Sequence, residues 1–185
     1  MAVSSSPRQQ RFETLYAEHR LHVLAYCTRR VGPVDGPDAC SEVFLTAWRR
    51  LEDVPQSPKT LPYLYGIAGR VVSNQHRSSN RRDRLLAKLG AIGVAAPEHV
   101  DVIVTGVDCE VFSAVNGLKP KDREIVMLYT WEDLSRETIA EIMGMTRAAI
   151  DQRIHRAYQR LARVLAPRMQ ASTLNSSPVI EEGGT

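Results

Sequence analysis

The side chains best suited to chemistry lie close to the C-terminal end. Between Thr146 and Leu165, Ile150, Ile154, Ala157 and Leu161 recur at about 100° per residue, the spacing of one helix face. The opposite face carries Gln152, His155, Arg156, Gln159 and Arg163. Guanidinium groups neutralise phosphates and can grip guanine edges with two hydrogen bonds, glutamine can pair with adenine, and histidine can donate to an acceptor or stack. Arg147, Ala148, Asp151 and Gln152 stand near the helix start, where side chains reach base edges in a major groove. Arg147, Asp151, Gln152, Arg153, His155 and Arg156 form the candidate DNA-binding set here. A charged face on a core helix also arises as plain solvated surface. The preceding segment turns the reading towards DNA: Ser135 opens a helix with Ile139, Ala140, Ile142 and Met143, Gly144 stops it, and Thr146 caps the next. Helix, short glycine turn and helix make the helix-turn-helix pattern.

A second basic stretch, Arg70 to Arg84, mixes arginines with Asn74, Gln75 and His76, and Tyr63 and Tyr65 lie just upstream. Rings on which bases stack, beside arginines that hold phosphates, suit a single strand. Tyr63, Arg70, Asn74 and Arg77 are the candidates, with a place in the core as the other reading of either ring.

Other chemistries find no support. No carboxylates are set in a metal-binding pattern, and no phosphate-cradling glycine loop or nucleophile motif occurs, so neither catalytic nor metal residues are expected and the chain is not read as an enzyme. The three cysteines, Cys27, Cys40 and Cys109, are widely spaced without CxxC, as reduced thiols would be. No cofactor is implied. Met1 to Gln10 lacks the apolar segment of a signal peptide, and no apolar run approaches the roughly 20 residues that span a bilayer. A soluble, cytoplasmic protein without membrane insertion is expected. The net charge of +3 says little about partners, and the placement of the arginines says more.

The elements that position these residues are helical. Phe12, Leu15, Tyr16, His19, Val23 and Tyr26 mark a first helix, which Gly32-Pro33 and Gly36-Pro37 break. Asp38 is a candidate cap for a second helix carrying Val43, Phe44, Ala47, Trp48 and Leu51. Pro55 and Pro58 mark a loop, and a third helix begins near Pro62 with Tyr63, Leu64, Ile67, Ala68, Val71 and Val72. Further on, Val111, Phe112, Val115 and Leu118 mark another helix, and Pro120 opens the next, with Asp122 and Glu124 in its first turn. The last helix is expected to end near Leu165, before Pro167. The fold class predicted is all-α, two small helical domains joined by a flexible linker. Their bounds are 11–86 and 108–169, with a linker over 87–107 and a loose tail over 170–185. Ser4 to Pro7 is expected to be loose as well. Val102-Ile103-Val104 is either a short strand or an apolar anchor of the linker.

Several segments in this order resemble one family. Glu42-Val43-Phe44-Leu45-Thr46-Ala47-Trp48-Arg49-Arg50-Leu51 resembles the polymerase-binding helix of extracytoplasmic-function sigma factors, in the sigma-70 family. Tyr63-Leu64-Tyr65-Gly66-Ile67-Ala68 resembles the start of their promoter-opening helix. Leu118-Lys119-Pro120, Arg123-Glu124, Ile139-Ala140-Glu141-Ile142-Met143-Gly144 and Ile154-His155-Arg156-Ala157 resemble their fourth conserved region. The resemblance implies a factor that brings RNA polymerase core to promoters and aids initiation. It implies docking on the clamp of the largest catalytic subunit through Asp38, Glu42, Arg49 and Arg50, with Trp48 in the core. It implies a minus-ten element read as a single strand, an extruded base held by the loop Asp53 to Leu61, and a minus-thirty-five element read by the last helix. The linker would thread into the polymerase near the nascent RNA path, and an anti-sigma factor is an implied partner.

Three departures stand out. Tyr63 occupies a position where the family usually has tryptophan. Gly66 and Gly69 replace other residues, at a cost of about 1 kcal/mol each relative to alanine, which implies a helix held by a partner. Asp151 stands where the family commonly has a basic residue, implying either an unusual upstream element or weakened DNA binding. A stand-alone helix-turn-helix regulator, working without polymerase, is the alternative function, and the segment from Glu42 to Leu51 argues against it.

Overall fold

The computed structural model describes residues 6–88 and 107–174. Those residues are helical and contain no strand: α1 (Pro7–Arg49), a 3-10 turn (Leu51–Asp53), α2 (Thr60–Lys88), α3 (Val107–Asn116), α4 (Pro120–Thr130), α5 (Arg136–Met143) and α6 (Arg147–Leu174). The chain divides into two compact units, the first containing α1, the 3-10 turn and α2, the second containing α3, α4 and α6.

α1 begins earlier than its apolar spacing indicates. Ser6 Oγ accepts from the Gln9 N–H at 3.2 Å and Pro7 takes the first turn, where its missing donor costs nothing, so Ser6 and Pro7 are ordered rather than loose. The helix breaks once, at Gly32, whose φ of 86° and ψ of 169° only glycine adopts readily. The two arms, 7–31 and 33–49, run antiparallel. Arg8 donates to the Trp48 carbonyl at 2.9 Å, Phe12 meets Trp48 edge-on at 5.0 Å, and Tyr16 meets Phe44 at 4.8 Å. Gly36-Pro37 does not break the chain. Gly36 is where the arms touch: a Cβ there would sit 2.5 Å from Thr28 Oγ1 and 2.9 Å from Thr28 Cα. Asp38 is therefore no cap; the second arm is already under way, and Asp38 lies exposed within it.

The second arm buries Ala39, Cys40, Val43, Phe44 and Ala47, and Leu51 continues the same helical spacing. Against these arms packs α2, which buries Leu64, Tyr65, Ile67, Ala68, Val71 and Val72. The connection is tied at both ends: Arg11 Nη2 donates to the Val54 carbonyl at 2.8 Å, and Thr60 Oγ1 donates to the Pro55 carbonyl at 2.8 Å. Tyr26 lies at the centre of this unit. Its ring stacks on Tyr65 with centroids 5.0 Å apart, and the Arg30 guanidinium sits 3.4 Å from its centroid. Burial pushes the Cys40 thiol up from its usual range, with nearby Arg20 acting in the opposite direction, so thiolate chemistry is disfavoured there.

The two glycines of α2 differ in what surrounds them. A Cβ at Gly69 would lie 3.3 Å from the Tyr26 hydroxyl, whereas one at Gly66 would meet nothing within 4 Å. Gly66→Ala is therefore expected to stabilise the protein by about 1 kcal/mol, or about 4–8 °C in Tm for a unit of this size. Gly69→Ala should gain less, because the Tyr26 hydroxyl must shift. Thermal unfolding followed by circular dichroism checks the difference; equal gains would mean that the Tyr26 contact carries no weight.

In the second unit, Val115, Leu118, Val126, Met127, Ala157 and Leu161 form a core, flanked by an edge-on pair of Phe112 and Trp131 at 6.1 Å. Arg123 Nη2 donates to the Asn116 carbonyl at 2.6 Å, satisfying an acceptor at the end of α3. Burial lowers the Arg123 pKa from its usual value, with the Glu124 charge opposing this.

α5 and α6 start and α5 ends as their residues predict. Ser135 Oγ accepts from the Thr138 N–H at 3.1 Å, Gly144 ends α5 at a φ of 61°, and Thr146 Oγ1 accepts from the Ala149 N–H at 3.3 Å. Three expected ends move. α2 runs on to Lys88, α3 starts at Val107, and α6 continues through Pro167 to Leu174 instead of stopping near Leu165. Proline removes one helical donor, that to the carbonyl four residues back. That residue is Arg163, which is exposed, so its carbonyl can turn to solvent. Val102-Ile103-Val104, most of the expected linker and the tail from 175 onward lie outside the described residues.

Candidate nucleic-acid interface

On α6 the expected face is formed. Ile150, Ile154, Ala157 and Leu161 are buried, while Gln152, His155, Arg156, Gln159 and Arg163 are exposed. Side chains one turn apart order each other: Arg156 Nη2 donates to Gln152 Oε1 at 3.0 Å, and Gln159 Nε2 lies 2.9 Å from His155 Nε2. Such pairing limits the rotamers available to these side chains, a modest form of preorganisation.

The remaining members of the set are paired with other side chains of the protein. Arg153 turns towards α4 and pairs with Asp122 Oδ1 at 2.5 Å. This acid in the first turn of α4 thus faces a guanidinium as well as the helix dipole. Asp151 joins two arginines, with Oδ1 3.2 Å from Arg136 Nη1 and Oδ2 3.6 Å from Arg147 Nε. Arg147 Nη1 also meets Glu137 Oε1 at 2.6 Å. Arg136 lies 5.4 Å from the Tyr129 ring centroid, and hydrogen bonding to Tyr129 raises its pKa, with Asp151 adding to the rise. Gln152, His155 and Arg156 therefore present themselves outward, whereas Arg147, Asp151 and Arg153 have partners in α5 and α4.

On α2, Tyr63, Arg70, Asn74 and Arg77 follow steps of seven, four and three, which place them on one helix face. Arg70, Asn74 and Arg77 are exposed and Tyr63 is half-buried. Arg77 Nη2 donates to Asn74 Oδ1 at 2.8 Å. The two tyrosines separate: Tyr65 is a core ring stacked on Tyr26, and Tyr63 alone retains an accessible edge.

A third exposed face lies on the second arm of α1. Asp38, Glu42 and Arg49 are spaced by four and seven residues on one stripe, and Arg50 follows at the helix end. Leu45 falls within this stripe and is 47% exposed, a large apolar side chain among charges. Its exposure escapes a motif reading because the residue type suggests core. The signal is its register: Leu45 falls outside the buried series of Cys40, Val43, Phe44 and Ala47. Trp48 is half-buried, with Phe12 edge-on and the Arg8 guanidinium 5.0 Å from its ring centroid.

Among the described residues, no three histidine, cysteine or acidic side chains gather as a metal site, and no helix is long and apolar enough to cross a membrane.

Two family models match the chain in order. Residues 15–82 match sigma-70 region 2 and residues 110–161 match sigma-70 region 4. The ECF RNA polymerase sigma factor SigD of Mycobacterium tuberculosis is 33% identical over 152 residues, covering 75% of this chain and 69% of its own length. The ECF RNA polymerase sigma-E factor of Haemophilus influenzae is 27% identical over 169 residues, covering 85% of this chain and 89% of its own. The fold is similar to that of the sigma factor RpoE of Bartonella quintana, solved in complex with the anti-sigma factor NepR. That likeness has a TM-score of 0.66 and 19% identity, with 84% of this chain and 96% of that one covered. The fold likewise resembles CnrH, solved with the cytosolic domain of CnrY, at a TM-score of 0.62 and 21% identity over 88% of this chain and 92% of that one. With helices that carry region 2 and region 4 in the family's order, the chain belongs to the extracytoplasmic-function sigma factors of RNA polymerase, within the sigma-70 family.

Proposed function

We propose that this sigma factor, whose family directs RNA polymerase to promoters, divides the work among the three exposed faces. The stripe of Asp38, Glu42, Leu45 and Arg49, with Arg50 beside it, docks on the clamp of the largest catalytic subunit. An apolar centre ringed by charge is a common anatomy for a hot spot. Tyr63, Arg70, Asn74 and Arg77 hold the minus-ten element as a single strand. The loop from Asp53 to Leu61 receives an extruded base, whose unstacking costs a few kcal/mol that pocket contacts offset. α6 enters the major groove of the minus-thirty-five element, with Gln152, His155 and Arg156 outermost. Region two thus falls within residues 11–88 and region four within 107–174, with the residues between them as the linker and those from 175 onward as a tail. The protein acts in the cytoplasm as a regulatory subunit, and the bond-forming chemistry belongs to polymerase.

An anti-sigma factor is the proposed inhibitory partner. The support is the fold likeness to the sigma factor RpoE, which was solved with the anti-sigma factor NepR.

The observation that carries the DNA reading is the two-sidedness of α6, capped by Thr146 behind the Gly144 turn. Arg156→Ala is expected to weaken binding of the upstream element about equally across sequences and to reduce its salt slope by about 1, as loss of a phosphate contact does. Gln152→Ala should instead relax the preference at one base pair. Selection of bound promoters from a pool randomised in that element, by holoenzyme carrying each variant, separates the two effects. An unchanged consensus with Gln152→Ala would remove that residue from base reading.

A further inference from the structure

The start of the DNA-reading helix is electrically self-satisfied. Arg136 and Glu137 open α5, and Arg147 and Asp151 lie in the first turns of α6. The contacts among them run Arg136 to Asp151 at 3.2 Å, Asp151 to Arg147 at 3.6 Å and Arg147 to Glu137 at 2.6 Å. Two positive and two negative charges therefore cancel where the helix-turn-helix would first meet a phosphate backbone. At 100° per residue, Arg147 and Asp151 sit on the border between the buried face of α6 and its exposed face. All four side chains are partly exposed, from 38% to 57%. Pairs this open to solvent are weak and exchangeable, unlike a buried bridge. They are suited to competition with a ligand more than to bracing the fold.

We infer that Asp151, with Glu137 beside it, is an internal phosphate surrogate: it occupies Arg136 and Arg147 in the DNA-free protein and suppresses their contacts with DNA of the wrong sequence. The inference rests on α6 as the DNA-reading helix. Each phosphate that a protein neutralises adds about 0.9 to the slope of log affinity against log salt. An arginine already neutralised by a carboxylate gains less from a phosphate, because the carboxylate must be released and resolvated. Asp151 therefore lowers non-specific affinity more than specific affinity, since a correctly placed operator offers Arg147 base-edge acceptors as well.

The test uses the full chain and a duplex of random sequence, with binding measured between 50 and 200 mM salt. Asp151→Asn keeps the shape and removes the charge. It is expected to bind random duplex more tightly, with a steeper salt slope. One added phosphate contact corresponds to about a 3.5-fold greater loss over that fourfold salt range. Arg147→Ala should lower random-duplex binding more in the Asp151→Asn background than in the parent protein, removing part of the gain, with the rest carried by Arg136. Glu137→Gln should give a smaller change in the same direction, and unfolding curves establish that each variant is folded. An unchanged slope and affinity in both charge-removal variants overturns the inference, as does an equal effect of Arg147→Ala in the two backgrounds. Arg156→Ala separates the levels. Binding that falls with Arg156→Ala but ignores Asp151→Asn overturns the surrogate alone. Salt-dependent binding by none of the variants overturns the DNA reading and the surrogate with it.

Discussion

Tyr26→Ala is expected to unfold the first unit or bring it close to unfolding. Tyr26 is 1% exposed, stacks on Tyr65, carries Arg30 over its ring and places its hydroxyl against α2 at Gly69. Truncating a large buried aromatic to alanine costs about 3–5 kcal/mol through lost burial and the cavity left behind. A domain has only about 5–15 kcal/mol in hand, so a loss of this size removes much of the margin. The cost should be larger than for an aliphatic neighbour such as Val23, because Arg30 loses the ring beneath its guanidinium as well. Denaturant unfolding measures it, with Tyr26→Phe as the control that keeps the ring and removes only the hydroxyl. A cost below about 1 kcal/mol for Tyr26→Ala would mean that the aromatic stack is incidental to the unit.

Leu45→Asp is expected to abolish stable capture of polymerase core while leaving the fold intact. Leu45 is 47% exposed, so the substitution removes little from the core of the free protein. In a docked complex it would place a carboxylate at the centre of the contact, beside Glu42. Hot-spot truncations cost about 2 kcal/mol or more, roughly 30-fold in affinity, and a buried unpaired charge costs further. Leu45→Ala should show the truncation alone. Equilibrium binding to purified core, with matched unfolding curves, checks both. Wild-type affinity with Leu45→Asp would remove the second arm of α1 from the docking surface.

Features set by near neighbours along the chain were the legible ones. Gly32 as a break, Pro120 as a helix start, and the caps at Ser135 and Thr146 all depend on partners within a few residues. The apolar spacing of α6 likewise reports its buried side, because helical geometry alone relates Ile150, Ile154, Ala157 and Leu161. What stayed hidden depends on residues far away in the chain. Gly36 reads as a turn signal, yet its missing side chain admits Thr28 of the other arm. Tyr63 and Tyr65 have the same chemistry, and only the position of Tyr26 decides which one is core. Arg153 and Asp151 look equally available for DNA on a helical wheel, but Asp122 is 31 residues from the first and Arg136 is 15 from the second. Proline at 167 predicts a helix end by a local rule, and the rule fails where the orphaned carbonyl belongs to an exposed residue.

The central claim is that this chain confers promoter choice on RNA polymerase, and transcription with purified components tests it most directly. Core polymerase, the full chain and sheared DNA from the host are combined, and transcript starts are mapped with and without the chain. The account predicts specific starts that appear only with the chain present, each preceded by a shared upstream element whose consensus changes with Gln152→Ala. Absence of such starts, together with no binding of the chain to core, would contradict it.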